Sequence, residues 1–421
     1  MPIVMVLSQN VEGKGKKVKR VILSFLLGLA AIAAFAESRI NHPDVKSLQV
    51  VVNGIWLAPA IMRLNSNDVL HVSFDELSHD YHRYIYRLEH CEADWTPSEG
   101  IFESDWLSGF NGNTIDDYEH SSNTIIPYTH YQLQLPNPRC RLKLSGNYRL
   151  HVLDEDDDNR EVLVAEFMVT EQSMKLNMTA SGNTDIDTHQ SHQQVSMQLD
   201  YGSLPVTNPD EQIYAVVMQN NQERSIRRGV KPNITTFKGL EWRHNLQLVF
   251  DAGNEYRKFE VLDVSHPTMG IDYIMWDGEN YQAYPFVDEP RPNYLYDEDA
   301  NGSFCIRNSD NYQNDTHSEY VWVNYRLHSD IGQQIYISGR WTVEDADTYR
   351  MLYDPANHLY TASILQKQGY YSYQYLCDDN QLLPSEGSFY QTENRYQCLI
   401  YYKGTSDRTW RLTAFCDTPV E

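Results

Sequence analysis

Asp297-Glu298-Asp299-Ala300-Asn301-Gly302 reads D-x-D-x-N-G, the first half of an EF-hand loop. Oxygens at alternate positions with a glycine for the sharp turn are what a hard cation needs, so Asp297, Asp299 and Asn301 are candidate calcium ligands. The twelfth position is Asn308, where the motif needs a bidentate Glu. Asn-Gly is also a strong hairpin-turn signal, so the same six residues read equally as a turn. His79/His82 and His189/His192 form pairs, but a metal needs a third and fourth ligand, and surface histidines on loops are the expectation. Carboxylate pairs such as Glu89/Glu92 and Asp272/Asp277 occur among 58 acidic residues, and spacing along the chain does not define the separation a glycosidase requires. Trp341 with Tyr370, Tyr371, Tyr373 and Tyr375 could stack sugars. In a strand Tyr371, Tyr373 and Tyr375 share one face, and core packing is the expected use of that face. Nucleophile-elbow, phosphate-loop, HExxH and dinucleotide fingerprints are absent. No catalytic residue is assigned, no cofactor is expected, and the chain reads as a non-enzyme.

The elements that must position these residues are short strands. Thirty tyrosines and eight tryptophans in 421 residues favour strands, and 41% apolar content suffices for packed cores. The densest stretch, Phe250 to Asn308, has no helical period and is punctuated by Pro267, Gly270, Gly278, Pro285, Pro290, Pro292 and Gly302. Between those residues lie the runs Phe259 to Val264, Tyr273 to Trp276, Tyr281 to Val287 and Phe304 to Ile306, which read as strands.

Residues 1–36 read as a signal peptide. Lys14, Lys16, Lys17, Lys19 and Arg20 precede an apolar run from Val21 to Phe35, and Ala34-Phe35-Ala36 offers cleavage after Ala36. No second apolar run reaches membrane length, so an exported chain without a direct membrane span is expected. Residues 1–36 carry five Lys/Arg against Glu12, so their removal takes the formal charge from −24 to −28. That balance repels phosphate backbones, which makes nucleic acid an unsuitable partner. The six cysteines form no C-x-x-C pair, and their disulfide state is left open.

Read in order, residues 37–170 contain about seven short strands and fit one β-sandwich. Tyr84 to Trp95 and the Gly146-Asn147-Tyr148-Arg149-Leu150-His151-Val152 run carry the signature of immunoglobulin-like and fibronectin-like folds. Residues 171–317 form a second β-rich unit that includes the Phe250 to Asn308 hub. Residues 318–421 read as a third sandwich, similar to early-set domains that often bind glycans. The fold class is therefore all-β, a tandem of immunoglobulin/fibronectin-like sandwiches.

Several segments together resemble one known family: Asn65-Ser66-Asn67-Asp68, Tyr84 to Trp95, Ser104-Asp105-Trp106-Leu107-Ser108-Gly109, Phe250 to Val264, Ser265-His266-Pro267 and Asp297 to Gly302. They are similar to the plug protein of the Bacteroidota type IX secretion system, and the likeness extends over almost the whole mature chain. The resemblance implies a periplasmic, non-enzymatic gate on the periplasmic face of the outer membrane. Its partner would be the very large outer-membrane β-barrel translocon. Docking is expected to use aromatic anchors inside a polar rim, and Tyr281, Tyr284, Phe286, Tyr294 and Tyr296 are the candidates, flanked by Asp288, Glu289 and Arg291. The competing expectation is that these rings fill a junction between domains. The alternative function is a periplasmic or surface glycan-binding protein.

Overall fold

A computed structural model describes residues 38–378 and 380–420. The expected leader 1–36, with its cleavage point at Ala36, lies outside the described residues. The described chain is built from mostly antiparallel sheets packed face to face around three cores, with Ile61–Arg63 and Tyr281–Pro285 each making one parallel pairing.

The first core lies between two sheets. One runs Arg39–Ile40, Arg160–Thr170, Gly146–Asp154, Tyr84–Cys91 and Asn113–Thr114; the other runs Val45–Val52, Leu70–Glu76, Thr129–Leu135 and Asp117–His120. Strict alternation explains the inner face: Val72 and Phe74 oppose Leu133 and Tyr131 in register, and all four are buried. The acidic run Asp154 to Asp158 forms the turn out of Gly146–Asp154, where like charges stay in water.

The middle core is closed by Lys175–Ser181, His192–Asp200 and Gly239–Trp242 on one side. On the other lie Ile213–Gln219, Arg395–Tyr402 and Arg411–Pro419. The register places Val217 opposite Cys398 and Cys398 opposite Cys416. This differs from the boundary expected at 317/318: the last two strands belong with the middle sheet. Arg395–Tyr402 is buried on both faces. Tyr396, Cys398, Ile400 and Tyr402 enter the middle core, while Leu399 and Tyr401 enter a seam with Cys91, Trp95 and Met168 of the first sandwich.

The third core is closed by Arg257–Val261, Gly369–Cys377, Phe304–Ile306 and Ile335–Ser338. Facing them are Ile271–Trp276, Tyr281–Pro285, Tyr320–His328, Leu359–Lys367 and Leu352–Asp354. The hub therefore contributes strands to the third sandwich and does not stand between two finished units. The pairing makes this sandwich an insertion between Asp251 and Arg395 of the middle one. Both crossings meet where the Phe389 N–H donates to the Gly253 carbonyl at 2.8 Å.

Polar ties join the third sandwich to the first. The Lys367 ammonium donates to Asp75 at 2.6 Å, the Tyr320 hydroxyl donates to the same carboxylate at 2.7 Å, and Glu319 accepts the Ile126 N–H at 3.2 Å. The Arg340 guanidinium donates to the carbonyls of Leu57 and Ala58 at 3.2 and 3.1 Å. Such buried ties resist relative movement, because separating the sandwiches would leave each partner unpaired away from water.

Candidate functional site

The hairpin Ile271–Trp276 and Tyr281–Pro285 presents the densest exposed aromatic surface of the hub. Its turn is made by Asp277, whose Oδ1 accepts the N–H groups of Glu279 and Asn280, both at 2.8 Å. Those N–H groups hold the carboxylate below its ordinary pKa. Gly278 sits at φ +108°, a conformation the tight turn requires and an L side chain rarely adopts.

Ile271–Trp276 is an edge strand paired only with Tyr281–Pro285. Tyr273, Met275 and Trp276 remain 40%, 45% and 46% exposed. Register sets Tyr273 opposite Tyr284, and their rings stack with centroids 4.4 Å apart. The Arg326 guanidinium lies 5.9 and 5.6 Å from the two ring centres and 3.4 Å from Asp272. Trp276 meets Tyr281 edge to face at 5.0 Å. Asn324 donates to Gln282 at 2.9 Å beside this cluster. The result is two aromatic pairs on opposite faces of the hairpin, Tyr273–Tyr284 outward and Trp276–Tyr281 toward the third core, at an edge strand.

The five expected docking residues divide into two groups. Tyr281 and Tyr284 are half-buried on the hairpin, and Phe286 follows it at 59% exposure. Tyr294 instead ties elements together: its hydroxyl donates to Glu255 at 2.7 Å and its ring approaches Phe389 at 6.0 Å. Tyr296 is exposed near the Glu393 and Glu298 carboxylates, which raise its pKa. Tyr273, Met275 and Trp276 were not among the expected residues. Their signal was a short run with apolar side chains on both alternating faces, which a half-buried strand does not need.

The candidate calcium ligands have protein partners. Asp297 accepts from Lys258 at 2.6 Å. Asp299 accepts the backbone N–H groups of Tyr256 and Asn301. Asn301 adopts φ +49°, and its amide donates to the Glu393 carbonyl at 3.4 Å. Among the described residues no group of three His, Cys, Asp or Glu side chains is placed to hold a metal ion, and the two histidine pairs fall under the same statement.

Burial pushes the Asp299 carboxyl up to about 7 from an ordinary 3.8. A raised folded-state pKa contributes stability that is complete below the unfolded value and is lost as pH rises through the folded one. The wild-type chain should therefore lose ~4 kcal/mol relative to Asp299→Asn as pH rises from 4 to 8. Urea midpoints of both proteins at several pH values measure this, and parallel profiles would refute it.

The tyrosine stripe is core. Tyr371, Tyr373 and Tyr375 are buried with Trp341, and the Trp341 indole N–H donates to the Ser372 carbonyl at 3.0 Å. Trp341 and Tyr371 meet edge to face at 5.5 Å. These rings offer no stacking platform to a sugar. Trp341→Ala should cost roughly 3–5 kcal/mol of stability by leaving a cavity. A denaturation midpoint unchanged from wild type would contradict that packing role.

A family model for the type 9 secretion system plug protein, first domain, matches residues 45–171. The chain belongs to the type 9 secretion system plug protein family. The match covers the first sandwich from Val45–Val52 through Arg160–Thr170. The two further sandwiches lie beyond that match, and a solved structure covers them. The crystal structure of a hypothetical protein from Parabacteroides merdae ATCC 43184 is 33% identical, with a TM-score of 0.87 over 91% of this chain and 99% of that one. No curated protein matches the chain. Membership of the plug family associates the chain with type 9 secretion and suggests a non-catalytic role. No helix among the described residues is long and apolar enough to cross a membrane.

Proposed function

We propose that this protein is a non-enzymatic periplasmic gate that binds the outer-membrane β-barrel translocon of type 9 secretion and closes its periplasmic opening. The plug-family match over residues 45–171 carries this reading. Mechanically, an occluder of a wide pore must keep its shape under collision. The first and third sandwiches, tied through Lys367–Asp75, Glu319 and Arg340, meet that requirement. The net acidic surface favours a basic or polar protein face over an anionic lipid surface.

Docking runs through the hairpin edge, where Tyr273 and Tyr284 on one face, Trp276 and Tyr281 on the other and Phe286 just beyond combine aromatic anchors with Asp272, Arg326 and Gln282. Tyr294 is tied instead to Glu255. The test is co-purification from detergent-solubilised outer membranes. Tagged wild-type protein should bring down the barrel, and Tyr273→Ala with Trp276→Ala should reduce its recovery at least tenfold, about 1.4 kcal/mol. Full recovery by the double variant would remove the hairpin as the docking site. A wild type that recovers no barrel would remove the gate reading itself. Cells lacking the protein should leak large solutes through a persistent barrel.

A further inference from the structure

The middle sandwich holds two cysteines on neighbouring strands, and nothing in the gate reading uses them. Cys398 on Arg395–Tyr402 is directly opposite Cys416 on Arg411–Pro419. Because register partners share a face, both side chains turn toward the same core. Cys398 is fully buried in it with Tyr396 and Ile400, and Cys416 packs against it while staying half-buried. The Val420 N–H donates to the Asn394 carbonyl at 3.0 Å, so 394/420 is a hydrogen-bonded pair. The ladder alternates and its register is unbroken from 395 to 400, which makes 398/416 a hydrogen-bonded pair as well. Such pairs hold their Cα atoms ~5.5 Å apart. Disulfides accept Cα separations of about 4.4–6.8 Å.

We propose that Cys398 and Cys416 form a cross-strand disulfide when the protein meets a disulfide oxidant, stapling the strand Arg411–Pro419 to the sheet. The half-buried Cys416 sulfur, as thiolate, attacks one sulfur of the oxidant's disulfide. That S–S bond breaks, a mixed disulfide forms at Cys416, and one oxidant thiolate leaves. The Cys398 sulfur, having lost its proton, then attacks the Cys416 sulfur and expels the second oxidant thiolate. Two protein thiols lose two electrons and two protons, and one oxidant disulfide becomes two thiols. Burial raises both cysteine pKa values, so the exchange is slow and is followed over hours.

Cys305 supplies an internal contrast. It is also half-buried on a strand, but its register partner is Tyr370, so its reaction must stop at the mixed disulfide.

The experiment incubates the purified full chain with glutathione disulfide, alkylates the remaining thiols and maps peptides by mass spectrometry. The expected result is a linked Cys398–Cys416 peptide that has lost two hydrogens, together with a glutathione adduct at Cys305. The oxidised protein should melt at a higher temperature, reversed by dithiothreitol, and Cys416→Ser should lose both the link and the rise. Cys398→Ser should instead accumulate glutathione at Cys416, which separates ring closure from access. Cys398 still open to alkylation after unfolding, in samples where Cys305 has reacted, overturns the proposal. So does a link between any other pair.

Discussion

Asp75→Ala is expected to destabilise the protein by roughly 3–5 kcal/mol, because it strands a buried ammonium. The Lys367 side chain is 1% exposed, and its charge has one carboxylate partner, Asp75, at 2.6 Å. Its other close contacts are the Asp315 carbonyl at 2.5 Å and the Tyr128 ring at 4.1 Å. Burial alone would push the Asp75 carboxyl up, but Lys367 and His130 outweigh it and hold the carboxylate below its ordinary range. Burial pulls the Lys367 pKa down against the same pair. Tyr320 and His130 complete the network at 2.7 Å each, so alanine also removes their acceptor. Urea unfolding of the variant measures the loss. A double cycle with Lys367→Met isolates the coupling, since removing both charges should cost less than removing Asp75 alone. A loss below ~1 kcal/mol would show that the pair is screened as a surface bridge is. Because the network spans the first and third sandwiches, proteases should also cut more readily at their junction.

Glu386→Ala should cost a similar ~3–5 kcal/mol for a related reason. The carboxylate is fully buried and accepts from two arginines at once. Arg257 reaches Oε1 through Nε at 3.1 Å and Nη2 at 3.0 Å, and Arg291 reaches Oε2 through Nε at 3.0 Å. Arg257 also donates to Asp288 at 2.8 Å, and Asp288 accepts from the hydroxyls of Tyr373 and Tyr375 at 2.8 and 2.6 Å. The fork geometry cannot be replaced by a single amide, so Glu386→Gln should recover only part of the loss. Limited proteolysis gives a local readout. In Glu386→Ala the segment 286–300, which Arg291 anchors, should be nicked earlier than any sandwich strand. Unchanged cleavage there would assign the stabilisation to Arg257 alone.

Much of the β architecture was legible as alternation. Tyr320 to Leu327 reads as a strand and is one, because Val321, Val323, Tyr325 and Leu327 all face a single core. The tyrosine stripe at 371, 373 and 375 was legible for the same reason. Pairing was not. A period of two fixes which side chains share a face but is silent on the neighbouring strand. Arg395–Tyr402, buried on both faces, carries no alternation that would favour Ile213–Gln219 over a nearer partner. Lys367 escaped notice because a lysine at a strand end normally marks solvent. Its burial follows from Asp75, almost three hundred residues earlier. The docking patch was half legible: the aromatic content of the hub pointed to Tyr281, Tyr284 and Phe286. The exposed row at Tyr273, Met275 and Trp276 depended on which strand would end the sheet.

The insertion of one sandwich within another also sets a timetable. A chain emerging from its amino end can close the first sandwich once Thr170 has arrived, and the third once Cys377 has. Until Arg395–Tyr402 follows, Ile213–Gln219 lacks the strand that pairs along its flank, and the core that Ala215 and Val217 share with Cys398 and Ile400 stays incomplete. Nascent chains halted before Arg395 should therefore recruit holdase chaperones through that one unfinished flank, and release them when the final pair of strands snaps in.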